Sequence, residues 1–103
     1  MKWRLANKHL EEIYMRGASR KFIFMNRKLC EKFVERIGRI DAADTVFDLR
    51  EPPSMKFEAL KGYENRFSIR LDVKHRLEFE IDFEDKDRTF GSVTVVTVSK
   101  HYQ

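Results

Sequence analysis

Residues 55–83 read MKFEALKGYENRFSIRLDVKHRLEFEIDF and contain two runs in which apolar and polar residues alternate. Every second residue is apolar in both runs: Phe67, Ile69, Leu71 and Val73 in the first, and Leu77, Phe79, Ile81 and Phe83 in the second. A period of two predicts strands with one buried face and one face in water. The short connection at 72–75 predicts that these strands are antiparallel neighbours.

The polar side of this predicted hairpin carries cations. Arg70 and Arg76 both fall on the solvent side of their strands, so we expect their guanidinium groups to share one open surface. Lys61 and Gly62 come just before the hairpin, at the margin of the sheet. We interpret this surface as a binding face for a polyanion.

The segments around the hairpin predict two helices and further strands. Trp3 and Leu5 alternate with polar residues as in an edge strand, and Asn7, Gly17 and Asn26 are typical helix caps. The second helix has an apolar stripe formed by Leu29, Cys30, Phe33, Val34, Ile37 and Ile40. The order strand, helix, helix and then three or four strands predicts an α+β fold, with the helices on one side of a mainly antiparallel sheet. A chain of 103 residues is expected to form one domain, residues 1–103.

The last strand is predicted from a β-branched run at residues 93–98. If Val96 and Val98 face the core, Thr97, Ser99 and His101 share the opposite face. The final histidine would then lie on the same side of the sheet as the arginines.

Charge distribution, cysteine content and the lack of long apolar runs limit the classes of function to consider. Residues 1–40 contain eleven Lys/Arg against four Asp/Glu, and the remainder contains ten against thirteen. A basic half suits contact with nucleic acid or an acidic partner, although a solvated helical surface explains it equally well. The single cysteine, Cys30, excludes an intrachain disulfide and a Cys-rich zinc site. With no apolar leader and no long apolar run, we expect a cytoplasmic protein without a membrane segment.

The candidate catalytic residues are Lys61, Arg70, Arg76, His101 and Glu58. In RNA cleavage the 2′-hydroxyl attacks its own phosphate, so the protein supplies a base, cations for the developing charge, and an acid. Arginine forks match phosphate oxygens, and histidine or glutamate can move the protons. This set requires neither a metal nor a cofactor. In the alternative interpretation, the arginines pair with Glu78 or Glu80 across the sheet and have no function.

Several pieces of the sequence together resemble a known family. They are FEALKG at 57–62, SIRL at 68–71, HRL at 75–77, VSKH at 98–101 and IDA at 40–42. In this order they resemble the HigB or killer-protein branch of the RelE/ParE toxin superfamily, over nearly the whole chain. The resemblance implies a RelE-like compact domain with two N-terminal helices on a curved sheet.

The same resemblance implies a ribosome-dependent mRNA endoribonuclease that needs no metal ion. It also implies a HigA-type helix-turn-helix antitoxin as partner, and operator DNA bound through the toxin–antitoxin complex. By position, Lys61, Arg70 and Arg76 match the family's basic active-site residues, and His101 matches its C-terminal histidine. We add three cations as predicted RNA-binding residues: Lys100, Lys74 and Arg66.

The chain departs from the family pattern at a few positions, which keeps two alternatives open. Many members have histidine at the position of Glu58, and Ser99-Lys100 replaces an Asp-Tyr pair. One alternative is a ParE-like gyrase inhibitor that catalyses nothing. The other is a weakly active or inert homologue that acts mainly as an antitoxin partner or co-repressor.

Overall fold

Two helices lie on one face of a five-stranded sheet in the computed structural model, which describes residues 1–100. The elements are β1 (Trp3–Leu5), α1 (Lys8–Arg16), α2 (Arg27–Ala42), β2 (Glu58–Ala59), β3 (Arg66–Arg70), β4 (His75–Phe83) and β5 (Gly91–Lys100), with short 3-10 turns at Val46–Arg50 and Pro53–Met55. The strand order is β1-β5-β4-β3-β2, and every pair is antiparallel except β1 with β5. The predicted α+β class is confirmed.

The helix ends follow the predicted caps. The side chain of Asn7 accepts hydrogen bonds from the amides of His9 and Leu10, at 3.1 and 3.2 Å. Asn26 does the same for Leu29 at 2.8 Å. Gly17 ends α1 in the left-handed region, with φ of 71°. Short polar side chains at these positions satisfy amides that the first helical turn leaves without partners.

The core lies between the helices and the apolar side of β3, β4 and β5. Phe33 from α2 and Phe79 from β4 are its largest fully buried side chains. The predicted stripe of α2 is buried except for Val34, which is 41% exposed. Val34 instead borders a groove between α1 and α2. No helix among residues 1–100 is both long and apolar enough to cross a bilayer.

Strand β5 differs from its predicted alternation because it contains a bulge. Its register with β4 shifts between Glu78 and Phe79, so that Glu78 pairs with Thr97 and Phe79 with Val95. Val95 is fully buried and Val96 only partly, so the assumption that Val96 and Val98 both face the core is right for Val98 and wrong for Val96. An extra residue on one strand reverses the alternation beyond it.

The hairpin between β3 and β4 is closed by an Asp72 turn. The carboxylate of Asp72 accepts hydrogen bonds from the amides of Lys74 and His75, both at 2.8 Å, and lies 2.8 Å from His75 Nδ1. The turn places Val73 in solvent, 69% exposed, so the predicted strand ends earlier, at Arg70. Partial burial raises the pKa of Asp72, but these hydrogen bonds outweigh it and hold that pKa below its ordinary value.

We therefore expect the Asp72 carboxylate to stabilise the fold only above acidic pH. Because its folded pKa is depressed, its contribution is complete above the unfolded value of about 3.9 and is lost as pH falls through the folded pKa. Urea unfolding of Asp72→Asn from pH 2 to 6 should give a stability difference from the parent that shrinks as the pH falls. The exposed Asp82→Asn change is the matched control, and a difference independent of pH would contradict the assignment.

Candidate active site

Arg70 and Arg76 form a cross-strand pair, directly opposite each other in the register of β3 and β4. Their side chains therefore leave the same face of the sheet, as the alternation predicted. The same register adds further polar residues to this face, and we call the group the arginine face: Glu58, Ser68, Arg70, Arg76, Glu78 and Ser99. This face is opposite to the one that packs on the helices.

Arg76 is buried, at 7% exposure, so the prediction that it lies on an open, wet side is wrong. Its Nε donates to Ser68 Oγ at 2.8 Å, and Nη2 donates to the carbonyl oxygens of Ser68, at 3.4 Å, and Lys56. Lys56 has a left-handed backbone with φ of 51°, at the end of the Pro53–Met55 turn. That turn brings the chain over Arg76, so that the Lys56 carbonyl takes the place of a water molecule as acceptor for Nη2.

The charge of Arg76 is balanced mainly by Glu58. Glu58 Oε2 lies 3.8 Å from Arg76 Nη2, and the Glu58 side chain is 56% exposed. Burial lowers the pKa of Arg76, and nearby Arg70 lowers it further, whereas Glu58 and Glu78 raise it. Arginine remains protonated under such shifts. The site therefore holds one cation in a fixed position, with an accessible carboxylate beside it.

Arg70 differs from Arg76 in that no group within residues 1–100 pairs with its charge. Its side chain is partly exposed and makes no hydrogen bond or ion pair within residues 1–100. Only its backbone is held, because Arg36 Nε donates to the Arg70 carbonyl at 2.7 Å. Among the described residues, the guanidinium of Arg70 is thus left available to an anion. The predicted pairing of this residue with Glu78 or Glu80 is absent from the described part of the chain, and Glu78 instead lies 3.3 Å from Arg66.

Two of the predicted cations lie at the far end of β3. The amide of Leu60 donates to the carbonyl of Arg66 at 2.9 Å, which places Lys61 beside the first residue of that strand. Four residues at about 3.3 Å each separate Arg66 from Arg70, or about 13 Å. Arg66 contacts Glu78 and lies over the Tyr63 ring, with its guanidinium carbon 4.8 Å from the ring centre. The register therefore places Lys61 next to Arg66 at the far end of β3, although the Arg66 side chain reaches Glu78 of the arginine face.

The remaining predicted cations are at the hairpin tip and in β5. Lys74 is exposed in the turn. Lys100 pairs with His75, and its Nζ lies 4.9 Å from the centre of the Phe24 ring, on which His75 stacks. Lys100 thus lies on the helix side of the sheet, not on the arginine face. His101 lies outside the described residues, so its role as an acid or base stays a prediction.

Sequence reasoning missed Ser68, which is fully buried and orients Arg76. Its position was visible in the alternation, because it lies on the polar side of β3, between Arg66 and Arg70. Its hydrogen bond with Arg76 was not visible, because nothing in the sequence indicates that the turn ending at Lys56 lies over this pair. Within residues 1–100, no group of three His, Cys, Asp or Glu side chains is placed to hold a metal ion.

The arginine face can bind a phosphodiester and has a base candidate for it. Arg70 is free to take phosphate oxygens, and Arg76 provides a fixed positive field behind it. Glu58 is the carboxylate at hand for accepting a proton. The three groups form the part of the predicted catalytic set that the structure brings together.

Comparisons with known proteins bear on the family and the fold of the chain. A family model described as a RelE-like toxin of the type II toxin–antitoxin system HigB matches residues 3–90. Among solved structures, the chain is similar to the YoeB/ParE toxin from Agrobacterium tumefaciens, at 17% identity and a TM-score of 0.54. That match covers 99% of this chain and 100% of the other, and it bears on the fold alone. No curated protein matches the sequence.

Proposed function

Because this chain belongs to the HigB-like family of RelE-like type II toxins, we propose that it is an endoribonuclease that cleaves mRNA on the ribosome and so inhibits translation. The observation that carries the proposal is the pairing of Arg70 with Arg76 on one face, with Glu58 3.8 Å from Arg76. Two guanidinium groups and one carboxylate match the charge that develops on a phosphate under attack.

In the proposed reaction the substrate supplies its own nucleophile. Glu58 takes the proton of a 2′-hydroxyl, whose oxygen then attacks the adjacent phosphorus. Arg70 binds the phosphate oxygens as negative charge builds on them, and Arg76 stabilises that charge from its fixed position. The bond to the 5′-oxygen breaks, leaving a cyclic phosphate, and an acid returns a proton to the leaving oxygen. We assign that acid to His101.

The partners follow from the family. A type II toxin has an antitoxin. We propose a HigA-type antitoxin with a helix-turn-helix domain, and contact of the complex with operator DNA through that domain. Ribosome-bound mRNA is the proposed substrate.

One observation favours a second function, that of an antitoxin partner or co-repressor without catalysis. The Nε and Nη2 atoms of Arg76 already donate hydrogen bonds to Ser68 and Lys56. A buried arginine with such contacts serves the fold whether or not RNA binds. Arg70 is then the residue that separates the two functions, since its side chain makes no such contacts with the described residues.

Mapping of mRNA 5′ ends after induction of the chain alone tests the proposal. We expect new 5′ ends within translated regions, and none when translation initiation is blocked. Plasmid supercoiling by purified gyrase should be unchanged by the protein. Growth arrest without new 5′ ends would contradict the proposal, and inhibited supercoiling would point to the gyrase alternative.

A further inference from the structure

A second concave surface lies at the margin of the core, away from the arginine face. It is a pocket of about 360 Å³ bordered by the rings of Phe47, Phe57 and Phe83 and by the side chains of Arg50, Asp87 and Arg88. We call it the phenylalanine pocket. Phe47 is 57% exposed. Because Phe83 alternates with the arginine-face residues of β4, the pocket is on the other side of the sheet from Arg76.

The two arginines of this pocket lie over aromatic rings. The guanidinium carbon of Arg50 is 5.5 Å from the Phe57 ring centre, and that of Arg88 is 4.3 Å from the Phe83 ring centre. Arg88 Nη2 also donates to the carbonyl of Glu64 at 3.1 Å. Neither arginine forms an ion pair within residues 1–100, although Asp87 borders the same pocket. The pocket therefore combines apolar walls with two cations that have no acidic partner in the described part of the chain.

The turn that carries Arg88 is fixed in an unusual conformation. Arg88 has φ of 59°, which residues other than glycine rarely adopt. The Asp85 carboxylate accepts hydrogen bonds from the amides of Thr89 and Phe90, both at 2.9 Å, and thereby holds the turn. A conformation of this kind persists where surrounding contacts impose it, and it is a feature of binding sites. The guanidinium of Arg88 lies over the Phe83 ring at this turn.

We propose that the phenylalanine pocket is a docking site for the antitoxin, and that it binds a segment in which a large apolar side chain stands next to a carboxylate. The volume suits one such side chain, and Arg50 and Arg88 match the carboxylate. Aromatic rings with arginine at the rim are the composition of interface hot spots. The inference deepens the proposed partnership with an antitoxin and is independent of RNA cleavage.

Two other assignments fit the structure less well. The groove between α1 and α2 also contains cations, Arg16 and Arg27, but Glu31 borders the same groove and lies 3.4 Å from Arg27. A nucleobase in the phenylalanine pocket would meet the buried apolar side chains of Val46 and Phe67, which offer its polar edge no hydrogen bonds. An apolar side chain has no hydrogen bonds to lose when it enters the pocket.

Calorimetric titration of the full chain with the purified antitoxin from the same operon tests the site. We expect Arg50→Glu to raise the Kd at least about 30-fold, because a hot-spot residue typically contributes this much and the new charge repels the carboxylate. Phe47→Ser should also weaken binding, without changing charge. Arg27→Glu is the matched control on α2, and its Kd should stay within about twofold of the parent.

The remaining measurements separate this inference from the proposed function. Urea midpoints confirm that each variant folds, and mRNA cleavage by Arg50→Glu should equal that of the parent and escape neutralisation by the antitoxin. Unchanged Kd values for folded Arg50→Glu and Phe47→Ser would overturn the inference. Weaker antitoxin binding by Arg27→Glu alone would also overturn it, because it would place the antitoxin in the helix groove. So would an Arg50→Glu protein that binds a short single-stranded RNA more weakly than the parent but binds the antitoxin equally well. If the parent binds the antitoxin but cuts no RNA, only the proposed nuclease fails.

Discussion

Replacing Arg70 by alanine should lower mRNA cleavage by about two to three orders of magnitude, the usual cost of removing one charge-stabilising contact in a transition state. The loss should be catalytic and not structural. The Arg70 side chain makes no hydrogen bond or ion pair within residues 1–100, and its backbone contact with Arg36 survives the change. Truncation also removes a like charge opposite Arg76, so we expect the free energy of unfolding to change by less than about 0.5 kcal/mol.

The measurement combines cleavage of a translated message in a reconstituted system with urea unfolding. Arg27→Ala removes the same charge from an exposed position on α2, where the side chain is 95% exposed, and should cleave like the parent. The cleavage rate of Arg70→Lys should fall between those of the parent and of Arg70→Ala, since an ammonium group keeps the charge but cannot bind two phosphate oxygens at once as a guanidinium does. A folded Arg70→Ala protein with parental cleavage would remove the arginine pair from the mechanism.

Replacing Arg76 by alanine should reduce both activity and stability, with the free energy of unfolding falling by about 3 kcal/mol. The change leaves the buried Ser68 hydroxyl and the Lys56 carbonyl without their donor. An unsatisfied buried group such as the Ser68 hydroxyl costs about 1–3 kcal/mol. Urea or thermal unfolding measures the loss directly.

A double-mutant cycle separates the contribution of the Arg76–Ser68 hydrogen bond from a general loss of packing. Ser68→Ala alone should also destabilise, because it leaves Arg76 Nε without an acceptor. The double variant should lose less than the sum of the single variants, since each partner is needed only while the other is present. Strictly additive losses would show that the Arg76–Ser68 hydrogen bond does not couple the two residues.

Alternation predicted the hairpin and placed Arg70 and Arg76 on one face, because the side-chain period of a strand is strictly two. The helix caps at Asn7, Gly17 and Asn26 were equally predictable, since they act through local hydrogen bonds and backbone conformation. The α+β class followed from the order of these elements. Such features depend on residues near in sequence, which a single sequence displays.

The burial of Arg76 could not be predicted, because it depends on a turn twenty residues away. Nothing near Lys56 in the sequence indicates that its carbonyl covers a strand. The bulge in β5 was hidden for a similar reason, since Val95, Val96 and Val98 are equally suited to the core. The separation of Lys61 from the arginine pair needed the register of β2, a strand of two residues.

The strand order has a consequence for how the chain is made. β5 is the last described strand along the sequence, yet it lies between β1 and β4 and is the sole sheet neighbour of β1 among residues 1–100. Synthesis proceeds at roughly 5–20 residues per second, so β1 waits roughly 5–20 s for its partner to be made. A nascent chain therefore cannot complete its sheet early, and the finished molecule forms only after residues 91–100 leave the exit tunnel.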